Sequence, residues 1–172
     1  LNPIFTLGHG TRRIEEFLEI LRAFHVRMIV DVRTVPRSRH NPQYDQMELQ
    51  KVLEENGFAY QHLKALGGLR HAHKDSINTG WQNASFRGYA DYMQTPEFAQ
   101  AIKKLISLGK RRKIAILCAE SVPWRCHRSM IADALVVRGV EVLHIMSKTN
   151  AHAHALTPFA RVAGEEITYP AS

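Results

Sequence analysis

The sequence predicts a single-domain α/β fold spanning residues 1–172: a three-layer sandwich with a mostly parallel sheet and helices on both faces. Short β-branched and aliphatic runs alternate with amphipathic segments of helical length, which is the pattern of βαβ units. The length of 172 residues suits one domain, and a chain of that size buries roughly 70% of its unfolded surface without needing disulfide staples. Hydrophobic residues at 45% and charged residues at 23% are the composition of a globular chain rather than a disordered one. No internal repeat or linker marks a second domain.

Ile4–Leu7 reads as the first strand, stopped by Gly8-His9-Gly10. Thr11 is placed to cap a helix in which Ile14, Phe17, Leu18, Leu21 and Phe24 recur at helical spacing. Glu15 and Glu16 in its first turn suit the helix dipole. Met28–Val32 is a second strand, ending at Arg33. A helix is expected from Asp45 to Asn56, stopped by Asn56-Gly57, and a strand from Phe58 to Leu63.

From Arg70 to Ala84 the chain is polar and irregular, long enough to be a lid or binding loop. Its His71, His73, Lys74, Asp75, Trp81 and Asn83 suit stacking and hydrogen bonding, or an ordinary surface loop. Helical pattern returns at Ser85–Met93 and again after Thr95-Pro96-Glu97, an N-cap, a proline at the first position and an early acid. Ile114–Cys118 is the clearest buried strand. A helix from Trp124 to Arg138 and a strand from Val140 to Met146 follow. The tail, Ser147 to Ser172, shows one weak strand near Glu166–Tyr169 and no strong helix.

Unusual polar residues fall at strand ends. His9 follows the first strand, Asp31 and Arg33 end the second, Cys118 and Glu120 end the buried strand, and His144 lies late in the last one. In open α/β sheets ligands bind outside the carboxyl ends of the strands, so these residues are expected to converge. In Leu117–Arg128, Cys126 would occupy the first turn of a helix, flanked by Arg125, His127 and Arg128. Helix N-termini and neighbouring cations lower a thiol's pKa. Cys126 is therefore the candidate nucleophile, with Glu120 or His127 as acid or base; Cys118, inside an apolar strand, reads as structural. Neither cysteine is followed by arginine at the spacing of the cysteine-phosphatase loop, and no rhodanese signature occurs.

The stretch from Asp31 to His40 carries Arg33, Arg37, Arg39, Thr34 and Ser38 and no second carboxylate. Arginine forks match phosphate geometry, so it reads as an anion-binding loop, a solvated basic loop being the alternative. Asp31 is read as orienting Arg33, with general base and backbone acceptor as the other roles open to it. Gly67-Gly68 permits a sharp turn or a close backbone approach to a ligand. No recognised zinc spacing is present and no metal or other cofactor is assigned.

The net charge of +7, with ten histidines besides, favours phosphate-bearing or polyanionic partners. Two cysteines indicate free thiols in a reducing compartment, and cytoplasm is expected. No stretch approaches the roughly 20 apolar residues of a membrane span, and no secretory leader is recognised. No heptad or apolar stripe marks an oligomer interface.

These motifs together resemble the prokaryotic family catalogued as domain of unknown function 488. The resemblance runs through Thr6–Gly10, Asp31-Val32-Arg33, Pro36-Arg37-Ser38, Tyr60, Leu66-Gly67-Gly68, Phe86–Ala90, Leu117–Glu120, Cys126-His127-Arg128 and His154–Pro158. It implies an α/β fold and a site drawn from His9, Asp31, Arg33, Arg37, Ser38, Gly67, Gly68, Cys118, Glu120, Cys126, His127 and Arg128. Gly10 stands where the family often has serine, and Ala155 where proline is common. The resemblance confers no reaction.

The expected function is an enzyme, a hydrolase or transferase acting on a phosphate-containing anion such as a nucleotide or nucleic acid. Glu120, Cys126, His9, Asp31 and His127 would carry the chemistry. Arg33, Arg37, Ser38, Arg39, Gly67, Gly68, Cys118 and Arg128 would bind substrate. The alternatives are a nucleic-acid-binding module without turnover and a small-molecule sensor.

Overall fold

The computed structural model describes residues 2–172. Its elements are β1 (Ile4–Gly8), α1 (Ile14–Ala23), β2 (Met28–Asp31), α2 (Gln46–Glu55), β3 (Ala59–His62), α3 (Ala84–Tyr92), α4 (Pro96–Arg111), β4 (Ile114–Cys118), α5 (Arg128–Val137), β5 (Val142–Ser147), β6 (Asn150–Ala153), β7 (Arg161–Ala163) and β8 (Glu166–Thr168). Strands run in the order β3-β2-β4-β1-β5-β6 in one sheet, with β7 and β8 a separate antiparallel pair. The first five strands of the large sheet are parallel and β6 is antiparallel to β5. The architecture is the mostly parallel α/β sandwich, with helices on both faces.

Strand side chains alternate between two cores, as the period of two demands. Phe5, Leu7, Ile29 and Leu117 pack with Phe17, Leu21, Leu49 and Leu53 of α1 and α2. Ile4, Val30, Ile116 and Cys118 pack on the opposite face with Tyr89, Ile102, Leu105, Met130 and Leu135 of α3, α4 and α5. Adjacent β1 and β4 therefore send their following helices to opposite faces. That divergence opens a crevice at their carboxyl ends.

Three local expectations are corrected. The residue capping α1 is Arg13, with no side-chain cap bond, so Thr11 does not cap it. The helix expected from Trp124 is broken: Pro123–Arg125 forms a 3-10 turn, Cys126 is extended, and α5 begins only at Arg128. The proline fits the tight turn at its first position, and Arg128 must turn inward, which fixes where the regular helix starts. The tail holds three strands rather than one, because β6 pairs with β5 and β7 with β8.

The expected lid is tied down. Asp91 on α3 accepts hydrogen bonds from His73 N (2.8 Å), Ser76 Oγ (2.6 Å) and Asn78 Nδ2 (2.7 Å). Asn78 Oδ1 in turn accepts from Tyr169 N (2.9 Å), and Asn83 caps α3. Trp81 packs against Phe86, Phe159 and Tyr169.

Candidate functional site

A cavity of about 370 Å³ lies at the carboxyl ends of β2 and β4. The loop after β2 contributes Arg33, Thr34, Val35 and Arg37, and the turn after β3 contributes Gly68 and Leu69. The loop after β4 and its 3-10 turn bring Cys118, Ala119, Glu120, Arg125, Cys126 and His127, while Ser85 and Phe86 close the wall.

Asp31 and Arg33 form the rigid corner. Asp31, fully buried, takes Arg33 Nε (2.9 Å) and the Arg33 backbone N–H (3.1 Å) on Oδ1, and Arg33 Nη2 (2.8 Å) and the Tyr60 hydroxyl (2.6 Å) on Oδ2. Every carboxylate oxygen is thereby occupied, so Asp31 holds Arg33 in one orientation. Arg33 is 6% exposed. Its Nη1 is one of four buried side-chain atoms without a hydrogen-bond partner among the described residues, the others being His9 Nε2, Trp81 Nε1 and Arg128 Nε.

The thiols form the second corner. Cys118 and Cys126 are both buried and unbridged, with their sulfurs 2.9 Å apart and Cys126 donating to Cys118. Arg128, 0% exposed, reaches back from the start of α5. Its Nη1 donates to Cys118 Sγ (3.0 Å) and Glu120 O (2.8 Å), and its Nη2 to Ser121 O (3.0 Å). Among the described residues it makes no ion pair with a carboxylate. A buried guanidinium without a counter-charge costs several kcal/mol, and Cys118 is the one ionisable group it touches through a hydrogen bond.

This geometry reverses the expected order of the two thiols. Burial pushes Cys118 up, but the S–H donated by Cys126 and the charge of Arg128 outweigh it, leaving Cys118 below the ordinary thiol value. The bond to Cys118 and then burial push Cys126 well above it. Cys126 lacks the helix-terminal setting expected for it, since it precedes the first residue of α5 by two positions.

The remaining candidates divide by placement. His127 donates from Nε2 to Val32 O (3.0 Å), and its Nδ1 lies 3.5 Å from Cys126 Sγ. Burial lowers its pKa to about 4, so the ring is neutral at physiological pH. Gly68 is required by this ring, because a Cβ there would lie 2.6 Å from His127 Nδ1. Gly67 abuts Thr34 behind it. Glu120 lines the cavity, its Oε1 accepting from Val122 N (3.1 Å).

His9 is not on the cavity wall. Its ring stacks on Tyr44 with centroids 4.2 Å apart, and Nδ1 donates to Gly10 O (2.8 Å). Burial lowers its pKa. Ser38 braces its own loop, its N–H on Asp45 Oδ1 (2.7 Å) and its Oγ accepting from Asn41 N (3.1 Å), and exposed Arg39 lies outside the cavity lining. Arg128 sits behind the thiols rather than on the wall.

His144 was legible late in its strand, but the buried network it joins through Asp133 was not, and that network lies on the far side of the Pro123–Arg125 turn. Fully buried Asp133 of α5 accepts from His154 Nε2 (2.7 Å), Thr157 Oγ1 (2.7 Å), Thr157 N (3.1 Å) and the Tyr169 hydroxyl (2.7 Å). His154 Nδ1 meets His144 Nε2 (2.8 Å), and His144 Nδ1 meets Thr6 Oγ1. Asp133 is the terminal acceptor of a continuous chain that links it through His154 and His144 to Thr6. The signal available in the sequence was an aspartate inside the apolar run Ile131-Ala132-Asp133-Ala134-Leu135. These histidines line an apolar cavity of about 400 Å³ with Trp81, Trp124 and Phe159. Among the described residues no three His, Cys, Asp or Glu side chains are grouped so as to hold a metal ion.

Fold and site together define a doubly wound α/β protein with an arginine–thiol pocket at the carboxyl edge of its parallel strands. Residues 13–135 match the family model described as Domain of unknown function DUF488, and the chain belongs to that family. No curated protein and no solved structure matches the chain. No helix among the described residues is long and apolar enough to cross a membrane.

Proposed function

We propose that the arginine–thiol pocket is the active site of an enzyme acting on a phosphate-containing anion, a nucleotide or a nucleic acid, by thiol-dependent transfer or hydrolysis. The observation that carries this reading is Arg33. Two of its nitrogens are fixed by a buried carboxylate, and the third has no partner among the described residues although the side chain lines the cavity. A buried donor left unpaired costs about 1–3 kcal/mol, which an anion's oxygen offsets on binding. Exposed Arg37 on the same wall supplies a second positive charge.

The roles follow from placement. Cys118 is the nucleophile, its thiolate held by Arg128, and Cys126 supplies the neighbouring proton. Glu120 is the acid or base on the wall. Asp31 positions Arg33, and Gly68 lets the backbone come close to His127 and to substrate. A pair of unbridged thiols suits a reducing compartment, so the protein is read as cytoplasmic.

Binding of a phosphate monoester by Arg33→Gln, measured calorimetrically beside the wild type, tests the reading. Losing a hydrogen bond to a charged group should weaken affinity roughly ten- to hundredfold. Equal affinity would remove Arg33 from the site. The net charge of +7 favours one other reading, a nucleic-acid-binding module without turnover. Its mark is a log–log salt slope of about −0.9 per neutralised phosphate on duplex DNA, with no product formed.

A further inference from the structure

We propose that Cys118 and Cys126 form a two-electron redox couple, with Cys118 attacking a small hydroperoxide and Cys126 resolving the product into an intramolecular disulfide. The proposal uses the same pocket but does not rest on its binding an anion. Nucleophilic thiol chemistry at Cys118 requires no second cysteine, and a hydroxyl or water could hold the attacking sulfur equally well. The fold instead brings together residues from two elements, the end of β4 and the turn before α5, and sets one sulfur 2.9 Å from the other. Closure to a bond of about 2.05 Å needs a movement of roughly an ångström. Cys126 lies in extended backbone between the 3-10 turn and the helix, where a small dihedral change costs no regular hydrogen-bonded turn.

Three further features suit the chemistry. Both cysteines line the cavity, which gives a small oxidant a route to them. Arg128, behind the thiols, supplies the positive charge that a thiolate at Cys118 needs. Cys126 already donates its S–H toward Cys118, so the proton lost on resolution lies on the approach line.

The steps balance. Cys118 ionises, its thiolate attacks the distal oxygen of ROOH, the O–O bond breaks, and the alkoxide takes up the proton that Cys118 released and leaves as ROH. Cys118 is then a sulfenic acid, oxidised by two electrons. Cys126 sulfur attacks Cys118 sulfur, the S–O bond breaks, and water leaves carrying the Cys126 proton. The net change is a dithiol and a hydroperoxide giving a disulfide, an alcohol and water. An external dithiol returns the pair by exchange.

Arg128 adds a consequence that an ordinary structural disulfide lacks. Oxidation removes the one ionisable side chain hydrogen-bonded to a fully buried guanidinium, and with it any negative charge there, leaving the guanidinium two carbonyl oxygens among the described residues. The reduced form is therefore the favoured one, the disulfide is readily reduced, and the oxidised protein melts at a lower temperature.

The reduced protein is treated with a slight excess of hydrogen peroxide or tert-butyl hydroperoxide, without phosphate, then alkylated and measured by intact and peptide mass spectrometry. The expected product has lost two hydrogens, carries no alkyl group on either cysteine, and returns to the dithiol with dithiothreitol. In Cys126→Ser a sulfenic acid is trapped on Cys118 by a dione reagent. In Arg128→Met the oxidation slows by roughly tenfold or more, the factor one unit of thiol pKa is worth. If that variant does not fold, the lower melting temperature of oxidised wild type is the second readout. Over-oxidation of Cys118 without a disulfide, sulfenic acid on Cys126 in Cys118→Ser at the wild-type rate, or two unreactive thiols would each overturn the proposal. Since no phosphate ester is present, a failed substrate search does not alter this outcome, and an absent disulfide leaves anion binding at Arg33 standing.

Discussion

At the scale of single residues, the site is set by side chains that other side chains hold in place. Gly68 shows this most simply. Its missing Cβ is the space into which His127 fits, and that ring in turn lies against Val32 O and beside Cys126. Gly68→Ala should destabilise the protein by about 1–3 kcal/mol, the usual cost of forcing atoms into a packed site, read as a lower denaturant midpoint. Alkylation of Cys126 should change with it, because the ring cannot move without altering the thiol's surroundings. An unchanged midpoint would show that the turn after β3 yields instead. Arg33 beside Asp31 was legible in the sequence, because two residues apart at a strand end can close a fork locally. The order of the two thiols was not. It depends on Arg128 reaching back past Cys126 to Cys118, ten residues earlier in the chain and on a different element. Local rules assign the lowered pKa to the cysteine nearest the helix, and tertiary placement assigns it to the other.

At the scale of elements, hydrophobic period placed the strands and most helices, since burial on one or both faces writes a repeat of two or about 3.6 into the chain. It failed where polar side chains, rather than apolar stripes, hold the backbone. The segment from 70 to 84 is irregular by pattern, yet Asp91 binds three of its groups and the C-terminal tail closes over Asn78. A buried carboxylate with three donors rigidifies a loop as effectively as a hydrophobic contact. Burial raises the Asp91 pKa, but the bonds from Ser76, His73 and Asn78 outweigh it and keep it below the usual value. Asp91→Ala should therefore cost about 1–3 kcal/mol through unpaired buried donors. It should also speed amide hydrogen exchange at His73, Asn78 and Tyr169. If exchange there is unaltered, the Trp81–Phe159–Tyr169 aromatic cluster, not Asp91, is what fastens the loop.

At the scale of the whole molecule, the chain from Thr6 through His144 and His154 to Asp133 ties β1, β5, the segment after β6 and α5 together, and Tyr169 and Thr157 attach the tail to the same carboxylate. The chain leaves the His144 ring a single proton between two hydrogen-bonded nitrogens. A proton added to His144 makes both ring nitrogens donors, so that Thr6 Oγ1 and His154 Nδ1 must both accept from it. Burial, then the charges of His154 and Arg128, lower the His144 pKa to about 3, with Asp133 opposing and His152 adding a small further lowering. His127 is lowered to about 4 on the other side of the turn. In the unfolded chain both return to about 6.5. Below that pH the unfolded state binds more protons than the folded one, so stability falls with falling pH. Both groups contribute down to pH about 4, and His144 alone from there to about 3. Each contributes at most about 1.4 kcal/mol per pH unit. Urea midpoints taken between pH 7 and pH 4 should fall steadily, and His144→Gln should flatten that fall. A wild-type midpoint that holds constant across this range would mean that His144 takes up its proton while folded, and that burial of its neutral ring is not what makes the folded state acid-sensitive.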